Sequence, residues 1–341
     1  MFDSLNLPVI WYLLVGVLLT GYAILDGFDL GVGALHLFSK GDQNRRLVMN
    51  SIGPVWDGNE VWLLTGGGAL FAAFPNVYAT VFSGFYVAFM LLLGMLIFRA
   101  VAIEFRSKES SPKWRQTWDV AFSVASMVIP ILMGVALGNV ILGLPLDNRF
   151  EYTGNFFSLL QPFPIILGVT TLALFMMHGS IYLSLKTEGE LREQVGVWIK
   201  NSMIFFFVCF AILTVATFIW APSMTNKMFA QPWLFALPVA MFLLLANVPR
   251  EVYHKRDGLA FLSSCASIAL MLALFGLGSF PNIVPALEPA NSLTVSNAAS
   301  SNATLTAMLV IALVGVPFVI AYTAGIYWVF RGKVDPKHLH Y

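Results

Sequence analysis

The stretch SIGPVWDGNEVWLLTGGG (residues 51–68) reads as a membrane-spanning helix, yet it holds two carboxylates, Asp57 and Glu60, one helical turn apart. The apolar stretch before it holds Asp26 and Asp29 at the same spacing. Ionisable groups inside a bilayer are costly, so they usually face a protein partner or a water path. These four acids are therefore the strongest indication of function in the sequence.

The composition of the whole chain indicates a helical, polytopic membrane protein. Of its 341 residues, 58% are hydrophobic and 11% are charged, whereas soluble domains have roughly 25% charged residues. Its apolar runs are about 20 residues or longer, unlike the ten-residue strands of an outer-membrane barrel. The net charge of +1 gives no reason to expect nucleic acid. Two isolated cysteines, Cys209 and Cys265, cannot form a thiolate metal site, so no metal is predicted.

Nine transmembrane helices are predicted within one integral membrane domain, residues 1–341. Lysine and arginine concentrate in alternate connections, which places the N-terminus in the periplasm and the C-terminus in the cytoplasm. One missed or added span would place connections rich in lysine and arginine on both sides of the membrane. Their strict alternation with the other connections therefore supports the count of nine. The predicted spans are roughly residues 8–37, 52–74, 77–105, 115–139, 162–186, 193–221, 231–249, 258–280 and 303–330.

Charged residues of the first three spans are predicted to share one layer in the cytoplasmic half of the membrane. The estimate uses the helical rise of about 1.5 Å per residue. Acids three residues apart share a helix face, so two such faces that meet can hold water and pass protons inward from the cytoplasm. The charged residues of this layer are Asp26, Asp29, Asp57, Glu60, Arg99 and Glu104.

Structural explanations stand beside this functional one. The acids can pair with Arg99, or share protons with one another, and so lock three helices together. His36 and His178 are candidate ligands for haem or quinone, although a lone histidine is more often a hydrogen-bonded structural residue. Intramembrane acids also suit a proton-coupled secondary transporter. That class, and a purely structural scaffold, are the alternatives that these residues leave open.

The sequence resembles subunit II of the cytochrome bd-type quinol oxidases. The densest matches are DGFDLGVG (residues 26–33) and NSIGPVWDGNEVWLLTGGGALFAAFP (residues 50–75). FRAVAIEFRSK (residues 98–108) and GVALGN (residues 134–139) extend the resemblance, and YTAGIYW (residues 322–328) fits near the end of the chain. The resemblance covers the chain and is thinner in its C-terminal half.

The resemblance implies a terminal oxidase of the bacterial inner membrane, which oxidises quinol and reduces dioxygen to water. It implies two b-type haems and one d-type haem, all ligated by subunit I, the obligate heterodimer partner. This chain would then carry no catalytic residue and would support subunit I. The implied fold is two four-helix bundles plus one extra helix. A bound ubiquinone in this subunit and small accessory single-helix subunits are further implications.

The same resemblance implies roles for individual residues. Asp57, in the WDGN motif, is expected on a proton route toward the haem site. Glu60 stands where some members have glutamine, and Glu104 where some have aspartate. Asp26 and Asp29 match the GFD element of the family, which implies an entry group at Asp26 and a structural residue at Asp29. The residues expected on the proton path are Asp57, Asp26, Asp29, Glu60 and Glu104, and those expected as structural or charge partners are Arg99, Trp56 and Asn59.

Overall fold

The computed structural model describes residues 6–337, and these residues form an almost entirely helical chain. A small antiparallel sheet, β1 (Asn282–Val284) and β2 (Leu293–Thr294), lies between the last two helices. The α-helices of the described range are α1 (Leu7–Leu35), α2 (Asp42–Ile52), α3 (Trp56–Ala73), α4 (Pro75–Gly84), α5 (Tyr86–Phe105), α6 (Pro112–Leu142), α7 (Pro162–Lys186), α8 (Gly189–Trp220), α9 (Ser223–Ala230), α10 (Ala236–Tyr253), α11 (Asp257–Ser279) and α12 (Asn302–Val329).

Within residues 6–337, eight helical segments are long and apolar enough to cross a membrane. The second predicted span, residues 52–74, corresponds to α3, which is not among the eight because the WDGNE sequence of its first turns lowers its hydropathy. Length and composition therefore do not confirm the count of nine. The eight segments are Leu7–Phe38, Tyr86–Lys108, Pro112–Leu142, Pro162–Lys186, Gly189–Trp220, Pro232–Tyr253, Asp257–Ser279 and Asn302–Val329.

The central helix is α1, which packs against α3, α6, α7 and α11. We call the end of the molecule where α1 begins the sheet end, because β1 and β2 lie there, and the opposite end the His36 end. At the sheet end, the indole of Trp11 donates a hydrogen bond to the carbonyl of Leu305 in α12, at 3.0 Å. The backbone N–H of Ser300 donates to the carbonyl of Ala73, at 2.8 Å, so α3 ends at the sheet end and runs antiparallel to α1.

Two large hydrophobic clusters and a small third one fill the interior of residues 6–337. The larger one joins α1, α7, α8 and α11, and at its centre Phe28 stacks on Tyr182 with ring centroids 4.0 Å apart. Trp56, at the start of α3, also belongs to it. The smaller of the two large clusters lies at the sheet end around Trp11 and Leu305. Each cluster ties distant parts of the sequence together, so the helices pack as one body.

The crossing of α1 and α7 depends on two glycines. A Cβ atom added to Gly31 would lie 1.8 Å from the carbonyl oxygen of Phe175, and one added to Gly179 would lie 2.5 Å from the backbone nitrogen of Val32. Small residues at such crossings let helix backbones approach closely in a membrane. No side chain larger than hydrogen fits at either position without moving a helix.

Gly31→Ala is therefore expected to destabilise the protein. Overpacking in a tight core costs roughly 1–3 kcal/mol, and here the clash is with backbone, which cannot rotate away. We expect a lower yield of folded protein and a lower midpoint of thermal aggregation in detergent. Gly16→Ala is the matched control, because a Cβ atom at Gly16, on the same helix, meets nothing within 4 Å. Equal midpoints for the two variants would contradict this view of the crossing.

The last helix, α12, is attached mainly near its two ends. Leu305 and Leu309 are its buried residues, whereas Ile311 and Phe318, in its middle, are 70% and 73% exposed. At the His36 end, Lys186 of α7 donates to the carbonyl of Phe330, and Lys333 donates to the carbonyl of Ser184. These reciprocal bonds satisfy carbonyls that helix ends leave without an intrahelical partner. They hold the end of α12 against the end of α7.

Candidate functional site

A buried ion pair joins α1 to α5. Both oxygens of Asp26 accept hydrogen bonds from Arg99, Nη1 to Oδ2 at 3.0 Å and Nη2 to Oδ1 at 2.5 Å. Asp26 is completely buried and Arg99 is 1% exposed. A bidentate guanidinium–carboxylate pair fixes geometry as well as charge. This pair therefore fixes the relative position of the two helices.

The second acid of α1 is held by α3. The side-chain Nδ2 of Asn59 donates to Asp29 Oδ2 at 2.7 Å and to the carbonyl of Leu25 at 3.2 Å. The hydroxyl of Tyr327, from α12, donates to Asn59 Oδ1 at 2.9 Å. Arg99 Nη2 lies 3.9 Å from Asp29 Oδ2. We call this group, Asp26, Asp29, Asn59, Arg99 and Tyr327, the carboxylate cluster.

The carboxylate cluster retains capacity for further hydrogen bonds. Asp29 Oδ1 and Arg99 Nε are buried and have no hydrogen-bond partner among residues 6–337. Buried polar atoms normally find a partner, in protein or in ordered water. Arg99 Nε can therefore donate a hydrogen bond to water, and Asp29 Oδ1 can accept one from water or take up a proton.

The remaining acids lie nearer the surface. Asp57 is exposed in the isolated chain, on a face of α3 that no other part of the described chain covers, and Glu104, at the end of α5, is also exposed. Glu60 is half-buried and interacts electrostatically with Arg99, Asp26 and Asp57. Glu60 thus lies between the exposed Asp57 and the buried carboxylate cluster.

A second charged group, at the His36 end, is centred on Asp119 of α6. Asp119 Oδ1 binds His36 Nε2 at 2.6 Å and Arg106 Nε at 2.5 Å, and Oδ2 accepts from Arg45 Nη1 at 3.0 Å. His36, Arg106 and Asp119 are all buried. One carboxylate thereby ties together the end of α1, the start of α2, the end of α5 and the first turns of α6. We call these four residues the Asp119 network.

Asp42, at the start of α2, extends the Asp119 network toward the surface. Its Oδ1 accepts from Arg106 Nη2 at 2.8 Å, and its Oδ2 accepts from Arg115 Nη1 at 2.9 Å. Asp42 is 46% exposed, so this outer pair contributes little to stability compared with the buried inner one. The charged groups thus range from the buried Asp119 to the solvent-exposed Asp42.

The histidines that the structure describes differ in how far other protein groups engage their ring nitrogens. His178 is buried with both ring nitrogens engaged, Nδ1 with Ser264 Oγ at 2.7 Å and Nε2 with the carbonyl of Ile24 at 3.0 Å. His36 is buried with Nε2 on Asp119, and its Nδ1 has no hydrogen-bond partner among residues 6–337. His254 lies on an exposed turn beside Tyr253. Within residues 6–337, no group of three or more His, Cys, Asp or Glu side chains is arranged to hold a metal ion.

The structure brings together part of what the sequence predicts. Asp26, Asp29 and Arg99 meet, with Glu60 close by, but Asn59 rather than Asp57 is the residue of α3 that contacts Asp29. Sequence reasoning missed Asp119, although a carboxylate inside a predicted span was a visible signal. It also missed Tyr327, whose partner is 268 positions away and which no local pattern could have revealed.

Comparisons with known proteins agree on one family, subunit II of the cytochrome bd oxidases. The family model described as "Cytochrome bd terminal oxidase subunit II" matches residues 7–330. The chain is 38% identical to cytochrome bd-I ubiquinol oxidase subunit 2 of Escherichia coli strain K12, over 99% of this chain and 98% of that protein. It is 36% identical to cytochrome bd ubiquinol oxidase subunit 2 of Bacillus subtilis strain 168, over 97% of this chain and 98% of that protein.

Similarity extends to a solved fold. A chain in the structure of bd oxidase from Geobacillus thermodenitrificans superposes with a TM-score of 0.79 at 17% sequence identity. The superposition covers 96% of this chain and 99% of that one. At this identity the match establishes the shared fold alone. It agrees with the sequence comparisons in spanning nearly the full length of the chain.

Proposed function

The chain belongs to the cytochrome bd terminal oxidase subunit II family, and from this premise we propose that it supports a haem-bearing subunit I and carries protons toward it. Membership makes the chain a subunit of an oxidoreductase whose catalytic haems are in the partner subunit. It is a multi-pass membrane protein. Protons consumed in reducing dioxygen to water would enter from the cytoplasm, pass Asp29 and Glu60, and leave this subunit at Asp57.

The observation that carries the proton proposal is the gradation of burial along the acids. Asp57 is exposed, Glu60 is half-buried, and Asp29 is fully buried with one oxygen free of protein partners in the described range. Acids at such depths usually line a water path or face a partner. Asp26, held at both oxygens by Arg99, fits a charge-partner role better than a carrier role. Glu104 is exposed at the level where a path from the cytoplasm would begin.

We assign the face of α3 that carries Asp57 to the contact with subunit I. This face also presents Val61, Leu64 and Phe71, which are 46%, 71% and 58% exposed. Apolar side chains alone would suit lipid, but a carboxylate among them would be costly there. A protein partner that offers hydrogen bonds or water to Asp57 removes that cost. Protons leaving Asp57 would then cross directly into subunit I.

We propose that α3 also spans the membrane and brings the number of spans to nine. Its 18 residues cover about 27 Å at a rise of about 1.5 Å per residue, close to the roughly 30 Å hydrocarbon core of a bilayer. It starts beside Asp29 and ends at the sheet end, where Ser300 binds Ala73. With α3 counted, lysine and arginine alternate between the two sides, so the N-terminus is periplasmic and the C-terminus cytoplasmic. Two four-helix bundles plus one extra helix account for nine spans.

The cofactors and further partners follow from the family. We propose quinol as the electron donor. Ubiquinol is the form that we favour, because both relatives are subunits of ubiquinol oxidases. Two b-type haems and one d-type haem would be bound by subunit I, in keeping with the hydrogen bonds at both ring nitrogens of His178 and at Nε2 of His36. A bound ubiquinone in this subunit and small accessory single-helix subunits remain predictions. The location that fits is the bacterial inner membrane.

Family membership replaces the secondary-transporter alternative, which rested on intramembrane acids alone. The scaffold alternative differs from our proposal only in whether protons pass through this subunit. A scaffold needs the buried Asp26–Arg99 pair and the Asp119 network, and it could use Asp57 as a contact with subunit I, but it does not need Asp57 to exchange a proton during turnover. Substitution of Asp57 therefore separates the two functions.

Asp57→Asn is expected to lower oxygen consumption by the two-subunit complex about a hundredfold while haem content is retained. Asparagine keeps the shape of the side chain but cannot exchange a proton, and positioned proton-transfer groups contribute roughly 10²–10⁴-fold to rates. The measurement is quinol-dependent oxygen uptake by purified complex, normalised to haem d absorbance.

Glu109→Gln is the matched control, because Glu109 is exposed in the connection between α5 and α6, away from the carboxylate cluster. Full turnover of Asp57→Asn would remove Asp57 from the proton path. Loss of all haem from Asp57→Asn would assign the residue a structural role instead.

A further inference from the structure

Tyr327 is the residue of α12 that reaches the carboxylate cluster. Its hydroxyl donates to Asn59 Oδ1 at 2.9 Å, and its ring stands edge-on to Phe28 with centroids 6.4 Å apart. The rest of α12 makes few interior contacts, and Ile326 and Tyr327 are the residues of its second half that pack against the larger core cluster. The lysine bonds at the His36 end hold the chain just beyond this contact, at Phe330 and Ser184. The attachment of α12 thus positions one hydroxyl.

The hydrogen bonds of Asn59 require one orientation of its amide. Nδ2 carries two hydrogens, and two acceptors, Asp29 Oδ2 and the carbonyl of Leu25, use both. Oδ1 accepts from Tyr327. If the amide rotated by half a turn, Oδ1 would face an ionised carboxylate and a carbonyl, both of which only accept. The donor from Tyr327 therefore helps to keep Nδ2 directed at Asp29.

We propose that Tyr327 is a positioning residue of the oxidase, acting through Asn59 on Asp29. The inference rests on the proposed function, in which Asp29 lies on the proton path. A hydrogen bond to Asn59 Oδ1 fixes the amide, and the fixed amide keeps a donor on Asp29 whenever that carboxylate has lost its proton. The final helix of the chain thereby takes part in proton transfer without a titratable group of its own in the path.

A double-mutant cycle in the full two-subunit complex tests this chain of contacts. We expect Tyr327→Phe to lower the kcat of quinol oxidation about fivefold, the size of one net hydrogen bond, with the KM for quinol and the haem content unchanged. In an Asn59→Ala background the same substitution should change kcat less than about twofold, because residues that act as one unit are not additive. Tyr322→Phe is the matched control, since Tyr322 is on the same helix and 67% exposed.

The outcomes separate this inference from the function on which it rests. If Asn59→Ala lowers kcat but Tyr327→Phe does not, the role of Tyr327 is overturned and the proposed proton path is not. An undiminished effect of Tyr327→Phe in the Asn59→Ala background also overturns it, because Tyr327 would then act by packing. If the Asn59→Ala complex turned over at the full rate, both the proton role of the carboxylate cluster and the inference about Tyr327 would be overturned.

A spectroscopic measurement gives an answer even if the Asn59→Ala complex does not assemble. The infrared carboxyl band of Asp29, assigned by its absence in Asp29→Asn, should shift in Tyr327→Phe and stay in place in Tyr322→Phe. An unshifted band in Tyr327→Phe overturns the inference, because the hydrogen bonding of Asp29 would then be independent of the tyrosine.

Discussion

Arg99→Met should abolish assembly of the oxidase, or reduce it to a few per cent of the normal yield. The substitution leaves Asp26 fully buried without its bidentate partner and removes the cation nearest Asp29. Breaking a buried ion pair by deleting one member costs roughly 3–5 kcal/mol, because the remaining charge is neither paired nor solvated. This is a large fraction of the roughly 5–15 kcal/mol that stabilises a folded protein. The measurement is haem-containing complex recovered per milligram of membrane protein.

Two companion variants show whether the pair itself is responsible. Arg99→Lys keeps the charge but loses the planar fork, so an intermediate yield is expected. Arg149→Met is the matched control, because Arg149 is exposed in the connection between α6 and α7. If Arg99→Met assembled as well as Arg149→Met, the Asp26–Arg99 pair would not be what joins α1 to α5.

Asp119→Asn is expected to produce the second-largest loss of stability. Asp119 accepts from His36, Arg45 and Arg106, so its neutralisation leaves the buried Arg106 with only the half-exposed Asp42 as a counter-charge. We expect a cost of about 3 kcal/mol, at the lower end of the range for buried pairs because Asp42 remains. Four chain segments should loosen together at the His36 end. The measurement is the midpoint of thermal inactivation of the purified complex.

Glu190→Gln provides the comparison for Asp119→Asn. Glu190 lies in the first turn of α8 and its side chain is exposed, so its neutralisation should leave the midpoint unchanged. Asp119→Glu should recover part of the loss, since it restores the charge with a longer reach. Equal midpoints of thermal inactivation for Asp119→Asn and Glu190→Gln would show that the Asp119 network is not needed for stability.

Local sequence patterns predicted much of the carboxylate cluster. The three-residue spacing of Asp26 and Asp29 placed both on one helix face, and both are fully buried. The depth estimate placed Arg99 at the level of these acids, and it pairs with one of them. The same arguments treated Asp57 and Glu60 as equivalent, whereas one is exposed and the other half-buried. Periodicity fixes which residues share a face, but it does not fix which neighbour that face meets.

Tertiary packing also decided which polar side chains became structural hubs. Asn59 and Asp57 lie two residues apart on α3, and a two-residue step turns a helix by about 200°. Asn59 therefore points at α1 and Asp57 away from it. Asp119 is the centre of a network because His36, Arg45 and Arg106, from three other segments, all contact its carboxylate. None of these meetings is encoded by spacing within a single helix.

The sequence by itself determined that this protein is a helical membrane protein and which family it resembles, because hydropathy, charge placement and short motifs are local properties. It also determined which acids lie within apolar segments. The folded chain alone decided that Asp26 pairs with Arg99, that Asn59 holds Asp29, and that Tyr327 reaches them from the last helix. The physical reason is that hydrogen bonds and ion pairs act over about 3 Å, whereas the partners are separated by as many as 268 residues and meet only when the helices pack.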